Sequence, residues 1–340
     1  MIRKRILLTG ATGTVGKEVL IQLLKKKCYD VDVFSLPSSK NNKFFKPYKK
    51  QIQIINGSLS NRLEVEKLNP MYDSIIHLAA IIPPAADEYP ENAYSVNVEG
   101  TNNLIKVMEK TSSNAFFMYS SSVSVYGDRL SSPNIKVGDP LNPSLGDEYA
   151  KTKIKAEELV RNSKLDWTIM RLCAIMGIKN HKISKLMFHM PLETCIEIAT
   201  PKDTARAFVV GIEKREELSG NIFNLGGGKN CRITYKDLLT RSFNIYGLGK
   251  LDFPDKTFAE KNFHCGYYAD GNELEKIIEF RNDDLDYYFD VTKNSIPPIQ
   301  KILTQLFKKP IKYFLKKQSE PLIAYKRIDK NLKNRFFYMF

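Results

Sequence analysis

The chain has 340 residues, enough for one large α/β domain and a smaller lobe, and its 43% hydrophobic content is that of an ordinary globular protein. Five cysteines, scattered and without a C-x-x-C pair, argue against a disulfide framework or a zinc site, so no metal, a reducing compartment and a cytoplasmic location are expected. Of the formal charge of +14, residues 301–340 carry +9, so the basic balance says little about the body, no nucleic-acid partner is expected, and no apolar run is long enough to cross a bilayer.

The first element is the short apolar run Ile6-Leu7-Leu8. Thr9–Gly16, read TGATGTVG, follows, and then Val19, Leu20, Leu23 and Leu24 are spaced as one helix face. Strand, glycine turn and helix in this order aim backbone N–H groups and the positive end of a helix at one spot, which suits a diphosphate. Gly10 makes the tight turn, Gly13 lets the backbone approach the diphosphate, and Gly16 lets the helix pack on the strand. A glycine turn without a ligand is the plainer reading. The position at the first strand of an α/β chain favours a dinucleotide.

The second strand, Val31–Phe34, ends at Ser35. An acid there would hold a ribose 2′-OH and repel a 2′-phosphate; Ser35 does not repel it, and Lys40 and Lys43 follow in a polar loop. NADP is therefore slightly favoured over NAD, the alternative being that Ser35 binds the ribose of NAD and the lysines are solvated. Ile52–Ile55 reads as the third strand, followed by Gly57-Ser58-Leu59. Ser74–Ala80 reads as a buried strand, and beyond Leu78 its small residues Ala79 and Ala80 let a cofactor lie close to the strand end. His77 reads as a structural residue.

Asn97 is expected to open a helix over Val98–Glu109. Phe116–Tyr119 is the next strand and leads into Ser120–Gly127; a serine cluster at a strand's carboxyl end is where open α/β sheets bind ligands. After a loop over 128–146, a helix starts at Pro143–Ser144 and runs through Tyr149, Lys153, Ala156, Leu159 and Val160. Tyr149 and Lys153 stand four apart, on one helix face. Tyr246/Lys250 and Tyr313/Lys317 share that spacing. Tyr149 is preferred because it lies between the serine-rich strand end and the strand Thr168–Met170.

His181 and His189 read as loop or packing residues. A helix over Asp203–Ile212 and a strand over Phe223–Leu225 come next. Gly226–Gly228 suits a second phosphate loop or a plain strand–turn–helix; Thr234 and Asp237 favour the latter. Asn272 precedes a helix carrying Leu274, Ile277 and Ile278. Beyond Pro297-Pro298, Ile299, Ile302, Leu303, Leu306 and Phe307 follow helical spacing among lysines, with Pro310 dividing two helical pieces, and residues 335–340 add an aromatic end. Packing of this apolar face on the body or on a dimer partner is favoured over peripheral contact with an anionic membrane.

Thr9–Gly16, His77–Ala80, Asn97, Ser120–Gly127, Tyr149/Lys153 and Phe223–Gly228 together resemble the short-chain dehydrogenase/reductase superfamily, in its extended branch of sugar-nucleotide epimerases, dehydratases and ketoreductases. The resemblance covers roughly residues 1–245. It implies an α/β fold: a Rossmann-type doubly wound parallel sheet with a small C-terminal substrate lobe. The expected division is a cofactor domain over 1–172 with returning segments about 200–245, a discontinuous lobe over 173–298, and a basic amphipathic tail over 299–340.

The resemblance also implies roles. Ser122, five residues before Gly127, would hydrogen-bond the substrate oxygen, with Ser120 and Ser124 as alternatives. Tyr149 would be the acid/base, and Lys153 would tune it and bond the nicotinamide ribose. Cofactor contacts would come from Gly10, Thr12, Gly13, Thr14, Val15, Gly16, Ser35, Ser58, Leu59, Leu78, Ala79, Ala80, Asn97 and Ser120, with Tyr149 and Lys153. Relatives usually carry Asp where Ser58 stands, and Asn97 is expected to support the active-site helix. Dehydratases place an acid pair after the hydroxyl residue; Val123 and Ser124 stand here, which disfavours dehydration. An epimerase or a ketoreductase acting on a sugar nucleotide or related small molecule remains. The short stretch between Gly177 and Thr200 and the run Leu172-Cys173-Ala174 weigh against a large nucleotide sugar. A homodimer is expected. The alternative is a cofactor-binding regulatory or scaffold protein without turnover, against which the intact Ser122, Tyr149 and Lys153 weigh.

Overall fold

Seven apolar runs become strands of one parallel sheet in the computed structural model, which describes residues 3–68, 70–178, 183–327 and 330–338. They are β1 (Lys4–Thr9), β2 (Tyr29–Ser35), β3 (Ile52–Asn56), β4 (Ser74–His77), β5 (Phe116–Ser122), β6 (Asp166–Leu172) and β7 (Asn221–Leu225). Their order is β7-β6-β5-β4-β1-β2-β3, and every pairing is parallel. The winding reverses between β1 and β4, where such sheets open a crevice for ligands.

Alternation along the strands divides the core into two layers. Ile6, Leu8, Phe116 and Met118 point to the face covered by α1 (Thr14–Lys26) and the helix Pro201–Gly211, with Val19, Leu20, Leu23, Phe208 and Val209. Leu7, Phe117 and Tyr119 point to the other, covered by α2 (Gly100–Thr111) and α3 (Glu148–Arg161), with Leu104, Met108, Ala156 and Val160. Both faces are covered, which is why these strands read as continuous apolar runs.

Several boundaries differ from the sequence reading. The fourth strand stops at His77, and Leu78–Ala80 are loop. Lys40 and Lys43 do not sit in a loop but on a short helix, Ser39–Phe45, capped by the Ser38 side chain on the Asn41 N–H. Asn97 does not open a helix: it lies in a π-helical turn, Ser95–Glu99, between the helix Pro90–Tyr94 and α2. α3 starts at Glu148, not at Pro143–Ser144, because Asp147 is the cap that accepts the Ala150 N–H.

The smaller lobe is built on Cys195–Ala199, antiparallel to Arg232–Thr234 and parallel to Ala174–Ile175. Its core holds Phe188, Phe243, Phe258 and Tyr288. Gly226–Gly228 are not a phosphate loop. The N–H groups of Gly227 and Gly228 go to the Ile198 carbonyl and the Glu197 carboxylate, and a Cβ at Gly226 would lie 2.2 Å from Glu197 Oε1.

Among the described residues, four helices follow Pro297: α4 (Pro298–Leu306), α5 (Lys308–Lys317), α6 (Glu320–Arg327) and α7 (Lys330–Phe336). The break falls at Phe307 rather than at Pro310, which sits in the first turn of α5, where a missing N–H costs nothing. α6 and α7 pack on the lobe: Phe336 and Phe337 are buried, the Phe336 carbonyl accepts the Glu260 N–H, and Ser319 Oγ donates to the Thr257 carbonyl. His189 is the packing residue expected, against Phe336 and beside Glu320. His181 lies outside the described residues.

Candidate active site

The parallel register brings the carboxyl ends of the central strands to one edge: Thr9 pairs with Phe34 and His77, His77 with Tyr119, and Ser122 with Leu172. The glycine turn leaves β1 at this edge. Gly10 has a φ of +74°, and a Cβ there would lie 2.7 Å from the Ala79 nitrogen. A Cβ at Gly16 would lie 2.0 Å from the Gly10 carbonyl oxygen. These two positions exclude any side chain for reasons internal to the fold. Gly13 is different. It is exposed, its Cβ would stand 3.2 Å from that oxygen, and it caps α1 without any side chain. The first N–H groups of a helix have no intrahelical acceptors, so the turn offers Thr14, Val15 and Gly16 donors to an anion. The cradle fits a dinucleotide diphosphate.

Thr12 and Val15 are half-buried in this turn, and Thr14 is exposed. Leu78, Ala79 and Ala80 are half-buried beside it, with the Ala79 N–H donating to Thr9 Oγ1 at 3.2 Å. At the end of β2, Ser35 Oγ accepts from the Asn41 amide at 3.1 Å. Ser58 follows β3, its N–H held by Glu64 and its hydroxyl 2.8 Å from Ser60 Oγ, while Leu59 packs under Gly100.

Of the serines at the end of β5, the structure singles out Ser122. Ser120 Oγ donates to the His77 carbonyl at 3.1 Å, and Ser121 is buried. Ser124 Oγ donates to Ser122 Oγ at 3.0 Å. Ser122 is half-buried and stands close enough to the Tyr149 hydroxyl to pull its pKa down. Burial raises the Tyr149 pKa above its ordinary value, the Ser122 hydrogen bond pulls it down, and Asp147 pushes it up.

Lys153 lies one turn along α3, 2% exposed, with Nζ 5.7 Å from the Tyr149 ring centre. It donates to the Ser120 carbonyl at 2.7 Å and to the Tyr119 hydroxyl at 3.2 Å. Burial pushes its pKa down to about 7, against the upward pull of Glu157. Ser122, Tyr149 and Lys153 are thus one cluster, on the edge that carries the glycine turn.

Asn97 stands behind this cluster. Its amide oxygen accepts the Ile81 N–H at 2.8 Å, and its nitrogen donates to the Ile81 carbonyl and, at 3.0 Å, to Thr152 Oγ1. Thr152 donates in turn to the Tyr149 carbonyl at 2.7 Å. Every polar atom of the Asn97 side chain is bonded to protein, so its contribution to a cofactor site runs through the loop and helix it holds. The π-turn that turns it inward is a feature frequent at functional sites.

Sequence reasoning missed a second support. Thr101 Oγ1 donates to the Asn97 carbonyl at 2.7 Å and stands 2.9 Å from His77 Nε2, so Nε2 carries the proton. Thr9 Oγ1 faces His77 Nδ1 at 2.7 Å. Burial, with the Lys153 charge, holds His77 down to about 3, so it stays neutral and ties β1 and β4 to α2. No local signal marks this relay, because its members lie far apart in sequence. Nor was Tyr119 marked as a partner of Lys153.

A doubly wound parallel sheet with a glycine turn after its first strand and a Ser/Tyr/Lys cluster on the same edge defines a Rossmann-type fold. A profile of the NAD dependent epimerase/dehydratase family matches residues 6–226, and the chain belongs to that family. A 3β-hydroxysteroid dehydrogenase/Δ5→4-isomerase of Mycobacterium tuberculosis is 27% identical over 214 residues, which cover 59% of this chain and 55% of that protein. A UDP-glucose 4-epimerase of Pisum sativum is 26% identical over 198 residues, 54% of this chain and 55% of that protein. The chain thus spans about half the length of the curated relatives it matches. The solved structure of UDP-glucuronic acid 4-epimerase from Bacillus cereus, with UDP-glucuronic acid and NAD, shares the fold at a TM-score of 0.69 and 20% identity, with 86% of this chain and 100% of that one covered. Among the described residues, no helix is long and apolar enough to cross a membrane.

Proposed function

We propose that this chain is an NAD(P)-dependent oxidoreductase acting on a carbonyl or secondary hydroxyl of a sugar nucleotide or a related small molecule, as an epimerase or a ketoreductase. The observation that carries the reading is the Ser122–Tyr149–Lys153 cluster on the edge that bears the glycine cradle. The relatives named as a hydroxysteroid dehydrogenase and a UDP-glucose 4-epimerase support a substrate of this kind.

Gly13 and the first turn of α1 would hold the diphosphate, Ser35 the adenosine ribose, and Lys153 the nicotinamide ribose. When bound, a nicotinamide dinucleotide supplies a reversible hydride donor and acceptor. Tyr149 holds or releases a proton at its phenolic oxygen. The Ser122 contact favours the phenolate, but burial prevails and holds the Tyr149 pKa above its ordinary value; a protonated Lys153, 5.7 Å from the ring centre, would favour the phenolate further. Ser122 orients the substrate oxygen and supports charge developing on it. Val123 and Ser124 follow Ser122 and offer no carboxylate to eliminate water. Ser35 carries no charge that excludes a 2′-phosphate, which favours NADP slightly. The five cysteines, none of them paired, suit a cytoplasmic setting.

The test is turnover with NAD or NADP and UDP-sugars by the wild type and Tyr149→Phe. The variant should lose at least about a hundredfold in rate while binding cofactor within a few-fold of wild type. A wild type that binds cofactor and turns over none of these, or a variant of unchanged rate, would overturn the reading. Cofactor that returns to its starting redox state after each turnover identifies an epimerase; net oxidation or reduction identifies a ketoreductase.

A further inference from the structure

The C-terminal segment does two different things. α6 and α7 bury Leu322, Ala324 and Phe336 on the lobe. α4 and α5 contain no buried residue at all. Ile299 is 63% exposed, Ile302 52%, Leu303 47%, Leu306 71%, Phe307 56% and Phe314 65%. The exposure does not come from a loose end, because both helices are seated. α5 puts Ile311 and Leu315 against the core of the lobe, and Lys312 Nζ donates to the Lys250 carbonyl at 2.6 Å. α4 meets the body through its polar side: a Cβ at Gly247 would lie 2.9 Å from Gln305 Cγ and from the Lys301 carbonyl. α4 therefore faces the protein with polar residues and solvent with Ile299, Ile302, Leu303 and Leu306, the reverse of the usual packing of a surface helix.

Residues 298–317 hold six lysines and no Asp or Glu. Lys301 faces the body and Lys312 pairs with Asp252, whereas Lys308, Lys309 and Lys317 are exposed and Lys316 is half-buried. We propose that α4 and α5 dock the protein on the anionic phospholipid surface of a bilayer. The apolar side chains enter the boundary between headgroups and acyl chains, and Lys308, Lys309, Lys316 and Lys317 meet the lipid phosphates, as in interfacial amphipathic helices. A second copy of the chain fits this face less well, because the contact would oppose one lysine cluster to another. The proposal does not depend on the catalytic reading.

Sedimentation of the full-length chain with vesicles tests it. One set is made of equimolar phosphatidylglycerol and phosphatidylcholine, the other of phosphatidylcholine alone. The chain should pellet with the anionic vesicles at low salt, stay in the supernatant with neutral ones, and be released by high salt. Leu306→Glu with Phe307→Glu, and separately Lys308→Glu with Lys309→Glu, should each weaken binding by about tenfold or more. Both pairs are exposed, and a thermal melt matching wild type checks the fold. Failure to pellet with anionic vesicles at low salt would overturn the proposal, and so would equal pelleting with both kinds. A lipid-free dimer that the Leu306/Phe307 pair dissolves would assign the face to a second copy instead. The comparison of the two vesicle compositions uses wild type alone and stands even if a variant does not fold.

Discussion

Lys153 donates to the Ser120 carbonyl at 2.7 Å, from a site 2% exposed. The carboxyl end of β5 thus fixes where the Lys153 Nζ sits, one helical turn from Tyr149. Burial lowers this lysine from 10.5 to about 7. Between those values the unfolded chain holds the proton and the folded chain does not, so the stability linked to Lys153 rises with pH across the window. Below about pH 7 both states are protonated and the burial cost of the charge is felt in full. Urea unfolding of wild type and Lys153→Met should therefore diverge in favour of wild type as pH rises, by up to about 1.4 kcal/mol per pH unit. Parallel curves would show that Lys153 titrates normally.

Asn97→Ala removes the partner of the Ile81 N–H and carbonyl and the donor to Thr152. The expected cost is about 1–3 kcal/mol, since buried groups are left unpaired. Because Thr152 bonds the Tyr149 carbonyl, turnover should fall by more than cofactor affinity. Thermal melts, a cofactor titration and kcat measure the three separately; equal losses in affinity and rate would place Asn97 at the cofactor alone.

Gly13→Ala and Gly16→Ala should have opposite signatures. A Cβ added at Gly16 would meet backbone at 2.0 Å, whereas one added at Gly13 would meet it at 3.2 Å. Gly16→Ala should cost about 1–3 kcal/mol of folding stability, as overpacking does. Gly13→Ala should leave the melting temperature near wild type and remove dinucleotide binding. A Gly13→Ala chain that still binds NAD or NADP would exclude this turn as the cradle.

Ser35→Asp should shift preference from NADP towards NAD. The side chain ends β2 and is steadied by Asn41, so a carboxylate there would stand where a 2′-phosphate must be tolerated. Titration of both chains with both cofactors checks it. Wild type binding NAD at least as tightly as NADP would remove the basis of the assignment.

Much of the site was legible because its signals are local. The glycines, the Tyr149/Lys153 spacing and the small residues after β4 each lie within one turn or one strand end. The element ends were less legible. The apolar run through Ser74–Ala80 does not show that hydrogen bonding to β1 and β5 stops at His77. The cap of α3 is Asp147, yet Ser144 three residues earlier is an equally good capping type. The Asn97 side chain in the π-turn bonds Ile81 and Thr152, 16 and 55 residues away, so nothing next to it in sequence marks the arrangement.

The amino-acid sequence by itself determined the strand–turn–helix order, the parallel sheet and the residue types of the site, because periodicity and glycine placement act within a few residues. Only the tertiary structure decided which serine faces Tyr149, since Ser120, Ser122 and Ser124 differ in their neighbours and not in their chemistry. The tail shows the same division. Helical spacing marks an apolar face over Ile299–Phe307, but spacing carries no information on what covers a face. That depends on which side chains meet the body, and here Lys301 and Gln305 meet it while Leu303 and Leu306 do not.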